Sequence, residues 1–324
     1  MGRPPSSSRS KGPPHTGERP NAPAAKEWVI PEALGAQPLA RALRTLLGGA
    51  SWNTVRRTIT TGKVRLDGAP VVEVTRTVRA GQRLELVPTA PRPSAPRLAA
   101  EKLVHVDAHV VVVEKPPHVS TVPYDDTERD TLDALVEREL SRRERGRRGP
   151  LGVVHRLDKE TSGLLVFART LAAKRHLKNQ FRFHTVARRY WALVSGHLES
   201  RTLRSRLVAD RGDGRRGSTE NPRLGRPAVT HVRALERLSD ATLVECRLET
   251  GRTHQIRIHL SEAGHPLLGE RVYVRGHEPP SIAVPRVMLH AFELGFVHPA
   301  SGAELHFESP MPADLRAVLA RLRG

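Results

Sequence analysis

The sequence predicts an α+β protein made of two folded parts, and three observations carry that prediction. Apolar residues recur at helical spacing in two places, at Leu39, Leu43, Leu46 and Leu47 and again at Leu132, Leu135, Val136 and Leu140. Strand patterns are interleaved with them: the valine run 110–113, the apolar runs LGVV at 151–154 and GLLVF at 163–167, and the period-two alternation of ARRYWALV at 187–194. Between the two parts, PTAPRPSAPR at 88–97 has the proline density of a stiff, exposed linker.

Taken in order, residues 1–36 are rich in Pro, Ser, Gly, Arg and Lys, a composition that buries too little apolar surface to offset the entropy of ordering. A disordered basic tail is expected there. From 38 to 87 the pattern becomes foldable. Ser51 is placed to cap a second helix carrying Val55 and Ile59, and Gly62 stops it. Asp67-Gly68 marks a tight turn between KVRL and PVVEV, and Gly81 sets up a closing strand, RLELV. Two short helices followed by a small sheet with basic side chains resemble the S4 RNA-binding module. That resemblance implies that Arg56, Arg57 and Lys63 contact RNA phosphates.

The second domain is expected over 98–324. It opens with LVHVDAHVVVVEKPPHV, a buried strand ending in a Pro-Pro turn, and continues through the helix of Leu132 to Leu140. Two bulk properties limit what it does. The 324 residues contain 53 Lys and Arg against 34 Asp and Glu, a formal net charge of +19, so a polyanionic partner such as nucleic acid is expected. Cys246 is the single cysteine, in TLVECRL, which excludes an intrachain disulfide and a multi-cysteine zinc site. No apolar run approaches the roughly 18 residues of a membrane span, and no secretory signal is recognisable, so a soluble, cytoplasmic protein is expected.

The chemistry is concentrated in HRLDKETSGLLVFA, 155–168, where two strand-like runs flank a polar stretch. Asp158 stands two residues from Arg156 and beside Lys159. In a partly desolvated cleft such cations favour an ionised carboxylate, able to act as nucleophile or base. This segment resembles, nearly residue for residue, the catalytic motif of the RluA-type RNA pseudouridine synthases. The resemblance implies a mixed, mainly antiparallel catalytic sheet, Asp158 as the essential carboxylate, and Arg156 as a group that holds the flipped target nucleotide. Further blocks follow in the family's order. ARRYWALVSGHL supplies Tyr190, matching the active-site tyrosine that stacks on the base. In ETGRTHQIRIHL, Thr253 is a candidate N-cap of a helix of about three turns, and the family's arginine falls on Arg257, expected to pair with Asp158. Arg252 and His254 are candidate RNA contacts, and Leu289, in RVMLHAFELGFVHP, is the candidate lining of the uracil pocket.

Two departures from the family pattern stand out. EKPPHV replaces Asp with Glu114 and lacks the expected glycine, and Glu270 stands where LLGD is commoner. A metal hydrolase is disfavoured, because His254 and His259 lack the i, i+4 spacing of a zinc pair. The isomerisation implied needs no redox partner, and no phosphate-cradling glycine loop or metal cluster is recognisable, so no cofactor and no metal are expected. The expected partner is RNA, ribosomal in preference to transfer RNA, acted on by a monomer. The competing reading is a catalytically silent RNA-binding or RNA-remodelling protein.

Overall fold

The computed structural model describes residues 25–91, 97–125, 128–144, 149–274 and 282–324. The chain divides between residues 95 and 96 into two compact units. In the first, strands β1 (Lys26–Val29), β2 (Val64–Leu66), β3 (Ala69–Val71) and β4 (Arg83–Leu86) form a sheet in the order β1-β4-β2-β3, accompanied by helices α1 (Leu39–Leu46) and α2 (Trp52–Thr60). Local chemistry explains the boundaries. The Ser51 hydroxyl accepts from the Thr54 N–H at the start of α2, and Asp67 and Gly68, both at positive φ, make the two-residue turn between β2 and β3. Leu39, Leu43, Val55, Ile59, Val64 and Leu84 close the core.

The disorder expected over 1–36 does not hold for residues 26–30. Lys26–Val29 pairs antiparallel with β4 and Ile30 is buried in the core. Three consecutive apolar residues, Trp28 to Ile30, suffice because an edge strand borrows its backbone partners from the sheet it joins. Residues 1–24 of the tail and 92–96 of the linker lie outside the described residues.

The second unit is built on a mixed sheet. Its strands are β5 (Leu103–Val106), β6 (Val110–Lys115), β7 (Gly152–Val153), β8 (Ser162–Ala168), β9 (Ala187–Ser195), β10 (Arg201–Val208), β11 (Gly217–Thr219), β12 (Arg226–Arg237), β13 (Ala241–Leu248), β14 (Leu289–Val297) and β15 (Glu304–Glu308). The order along the sheet is β11-β10-β12-β13-β9-β14-β8-β6-β5, with β15 beside β14 and β7 beside β8. Every pairing is antiparallel except that of β14 with β8. That parallel contact depends on Gly163. At φ +117, a β-carbon there would lie 2.1 Å from the Ala291 carbonyl oxygen.

Helices cover both faces. From α3 (Leu132–Arg143), the four apolar residues named above enter a cluster with Val111, Leu165, Tyr190 and Leu289. On the opposite side, α4 (Leu171–Arg182) sets Ala173 and Leu177 against Val110, Leu164 and Leu294. Helix α6 (Ala313–Arg323) packs Leu315, Val318 and Leu319 on Leu193 and Leu243. Helix α5 (Gln255–Glu262) is different, since every residue from Gln255 to Ser261 is buried. Its polar members therefore need partners, and they have them: Gln255 bonds to Thr250, Thr230 and the Val229 carbonyl. Among the described residues no helix is long and apolar enough to cross a membrane.

Two buried histidines make the fold sensitive to acid. His259 is wedged between the Thr230 and Ser205 hydroxyls, and His290 between those of Ser162 and Ser309. Burial pushes each imidazole from 6.5 down to about 4. The folded pKa lies below the unfolded one, so the unfolded chain binds the extra proton as pH falls from 6.5 to about 4, and stability is lost across that window. At pH 5 the expected loss is roughly 2 kcal/mol per histidine. Denaturant titrations at pH 7 and pH 5 measure it, and the pH dependence is expected to be smaller in His259→Gln than in wild type.

Candidate active site

Two loops from opposite ends of strands build the site. The turn carrying Asp158 precedes β8 and closes with a bond from the Thr161 N–H to the Asp158 carbonyl, 3.1 Å. Beside it runs the loop 116–121 that follows β6. Thr121 locks the two together: its hydroxyl donates to the Leu157 carbonyl at 2.8 Å and accepts the Leu157 N–H at 3.1 Å. Lys115, wholly buried, donates to the carbonyls of Pro116, Val119 and Lys159. Burial drives its pKa down to about 7, against the pull of the Asp158 charge.

A third lock comes from Arg286. Its guanidinium forms a bidentate pair with Asp314 and donates to the carbonyls of Glu160, Val287 and Leu289 and to the Ser162 hydroxyl. One buried side chain thus ties the Asp158 turn, the starts of β8 and β14, and α6. His155 anchors the other end of the motif. Its Nε2 accepts the Val166 N–H at 3.1 Å and its ring stacks on Phe181, while burial, helped by Arg188, pushes its pKa down to about 3. A neutral imidazole is what an accepting Nε2 requires.

Asp158 itself is partly exposed and faces two groups from the region of α5. His254 Nε2 is 3.7 Å from its Oδ1, and Arg257 Nη1 is 3.7 Å from its Oδ2. The expected Asp158–Arg257 pair is therefore present, but Asp158 is not the arginine's main partner. Arg257 makes a bidentate pair with Glu270, Nε to Oε2 at 2.7 Å and Nη2 to Oε1 at 2.8 Å. Burial pushes the Glu270 carboxyl up, but the Arg257 bonds and charge, together with the N–H groups of Val272 and Tyr273, outweigh burial and hold it below the usual carboxylate range. Immediately before Glu270, Gly269 lies against the Arg286 backbone: at φ +83 a β-carbon there would be 2.1 Å from the Arg286 carbonyl oxygen.

The start of α5 also differs from expectation. His254, not Thr253, precedes the first helical residue, in a left-handed conformation (φ 58, ψ 19) and without a side-chain capping bond. The helix runs from Gln255 to Glu262, nearer two turns than three. In this conformation the His254 Nδ1 is 2.5 Å from the Tyr273 hydroxyl, and the two rings meet edge to face.

The other sequence-predicted residues fall as follows. Tyr190 is buried on β9, opposite Ala291 and Cys246; burial raises its pKa, Arg188 opposes this, and the charge of Asp158 adds to the rise. Leu289 opens β14 in the same apolar cluster as Tyr190 and Leu157. Arg156 is exposed, with no ion-pair partner among the described residues. Arg252 donates to the Pro227 carbonyl, and burial followed by the neighbouring Arg226 lowers its pKa. In the first unit Arg56 and Arg57 are exposed on α2. Lys63 is not available in the same way: its ammonium is bonded to the Ala90 carbonyl, a contact that no local pattern announces.

Lys115, Thr121, Arg286 and Tyr273 were not singled out by the sequence reading. Each acts on a partner far away in the chain or through backbone carbonyls, which leave no trace in residue identity. Glu270 did leave a signal, as a carboxylate directly after a glycine at a position where the family prefers the shorter Asp. Among the described residues, Glu293, His306 and Glu308 bring three ligand-type atoms within 4.8 Å of one another, but Arg189 already sits 3.3 Å from Glu293.

Comparison with known proteins places this geometry. Residues 109–262 match the family described as RNA pseudouridylate synthase. Over 308 residues the chain is 36% identical to a ribosomal large subunit pseudouridine synthase D of Zymomonas mobilis, a match covering 88% of this chain and 93% of that protein. It is 42% identical over 235 residues to the protein of the same name from Nitrosomonas europaea, covering 69% of this chain and 65% of that one. The chain belongs to the RNA pseudouridine synthase family. Among solved structures, human RNA pseudouridylate synthase domain containing 4 superposes with a TM-score of 0.58 at 25% identity, covering 69% of this chain and 93% of that one.

The departure at EKPPHV has two local consequences. Glu114 pairs with Lys102 at 2.7 Å, and His118 stands at φ 63, the left-handed conformation that a glycine adopts freely. Its β-carbon costs on the order of 1 kcal/mol there, partly offset by the greater unfolded-state freedom of glycine. His118→Gly is expected to leave activity intact and to raise stability by up to about 1 kcal/mol, read as an upward shift of the thermal midpoint.

Proposed function

We propose that the protein isomerises specific uridines of ribosomal RNA to pseudouridine, with Asp158 acting on a uridine flipped out of its stack. The observation that carries this reading is the placement of Asp158: a partly exposed carboxylate on the family's motif, with a cation and a histidine at its two oxygens. In the reaction the bond from uracil N1 to the ribose C1′ breaks and the base turns within the site. A bond from C5 to C1′ then forms, as C5 loses a proton and N1 gains one. Atoms balance, so neither cofactor nor metal is called for. Tyr190 offers the base an aromatic face, Leu289 an apolar wall, and Arg156, Arg252 and His254 contact the nucleotide and its neighbours.

Ribosomal RNA is favoured over transfer RNA because several relatives carry the name ribosomal large subunit pseudouridine synthase D. The small N-terminal unit, read as S4-like, adds phosphate contacts through Arg56 and Arg57. We place the enzyme in the cytoplasm as a monomer.

Tritium release from ribosomal RNA labelled at uracil C5 tests the reaction: wild type is expected to release it and Asp158→Asn to release none. Equal absence of release from both, or release from transfer RNA alone, would overturn this reading. The N-terminal contacts have a separate readout. Arg56→Ala with Arg57→Ala is expected to weaken RNA binding and to flatten the dependence of log K on log salt by about 2, whereas Lys63→Ala leaves that slope unchanged.

A further inference from the structure

The geometry points to the turn Glu270–Tyr273 as the element that positions the reacting carboxylate, Glu270 by holding Arg257 back from Asp158 and Tyr273 by fixing the tautomer of His254. The inference rests on the reading of Asp158 as the reacting group.

The two oxygens of Asp158 face one arm each, and both arms stop at 3.7 Å. That distance is beyond a hydrogen bond but well within the reach of charge. An arginine free to choose would close onto a carboxylate in a bidentate pair, which would engage one lone pair on each oxygen and lower the nucleophilicity of both. Arg257 does not, because Nε and Nη2 are committed to Glu270 and only Nη1 is left for Asp158. Glu270 is itself immobilised by the N–H groups of Arg271, Val272 and Tyr273 on its Oε1. Arg257 also lies over the Tyr273 ring, its guanidinium carbon 5.3 Å from the ring centre. Asp158 thus keeps its charge balanced and its lone pairs free.

The second arm follows from donor and acceptor logic. At 3.7 Å no hydrogen bond fixes the proton, but the negative charge of Asp158 favours an N–H dipole aimed at it, which assigns the hydrogen of His254 to Nε2. In a neutral imidazole Nδ1 is then an acceptor, and the Tyr273 hydroxyl 2.5 Å away donates to it. Burial pulls the His254 pKa down, in surroundings that contain Asp158, Arg257, Glu270 and Arg216, which agrees with a neutral ring. The left-handed backbone of His254 is the conformation that lets Nδ1 meet Tyr273 while Nε2 faces Asp158. Both arms therefore end on one short turn, and Tyr273 and Glu270 touch no reacting atom.

The experiment uses the full chain and ribosomal RNA tritiated at uracil C5. Tyr273→Phe and Glu270→Gln are each expected to lower kcat about tenfold or more with KM within about twofold. Glu270→Asp, which keeps the charge and both acceptor oxygens, is expected to retain most of kcat. A purely structural role would instead lower the thermal midpoint and leave kcat of the folded fraction unchanged, and that result in Tyr273→Phe overturns the inference. The tautomer is read without turnover by nitrogen-15 histidine spectra, the His254 signals being those lost in His254→Asn. Wild type is expected to show a protonated Nε2 and Tyr273→Phe a mixture, whereas a protonated Nδ1 in wild type overturns the inference. Failure of the Asp158 reading looks different: wild type then releases no more tritium than Asp158→Asn, while the tautomer still decides the role of Tyr273.

Discussion

The ion pair between Arg257 and Glu270 is the constraint on which the rest of the site depends. Both side chains are buried, so neither charge has water to fall back on, and loss of either partner leaves the other uncompensated at a cost of about 3–5 kcal/mol. Such a pair adds little net stability over an apolar one. What it provides is direction. A bidentate guanidinium has one orientation, so the third nitrogen of Arg257 points where Asp158 lies. The helix bearing Arg257 is buried on all sides, which leaves it no freedom to follow a moving side chain. Immediately before Glu270, Gly269 packs against the Arg286 backbone at a distance that no β-carbon would allow.

Asp158 itself lies on a turn, where backbone freedom would ordinarily blur its position. Three buried polar side chains remove that freedom, chiefly by bonding to main-chain groups. Lys115 gathers three carbonyls, Thr121 takes both the N–H and the carbonyl of Leu157, and Arg286 reaches the Glu160 carbonyl and the Ser162 hydroxyl. The turn is thereby attached to β6, β14 and α6 at once. A catalytic carboxylate held this way changes little on binding substrate, and preorganisation of that kind lowers the cost of reaching the transition state.

Much of the architecture was legible in the residues themselves. The α+β class, the Ser51 cap, the Asp67-Gly68 turn and the strand that follows the HRLDKETS segment are local effects, governed by side-chain period, capping chemistry and positive-φ preference. The same locality limits the reading. A tail judged by composition over 1–36 hid β1, because a strand three or four residues long is stabilised by its neighbour in the sheet and not by its own sequence. Thr253 looked like a cap, but the helix starts after a left-handed His254 whose ring meets Tyr273 and faces Asp158, relations that local spacing does not represent. Lys63 looked like a free cation until the chain returned Ala90 to it.

The residues alone determined which groups are present and in what order: a motif centred on Asp158, a tyrosine at 190, an arginine at 257 and an excess of positive charge suited to RNA. Side-chain chemistry and short-range spacing are written in the chain, so these were readable from it. Only the tertiary structure decided how they are used. It set Glu270 against Arg257, Tyr273 against His254 and His118 in the place of a glycine, because each of those relations is a distance across a folded core, and distance between residues remote along a chain is a property of packing.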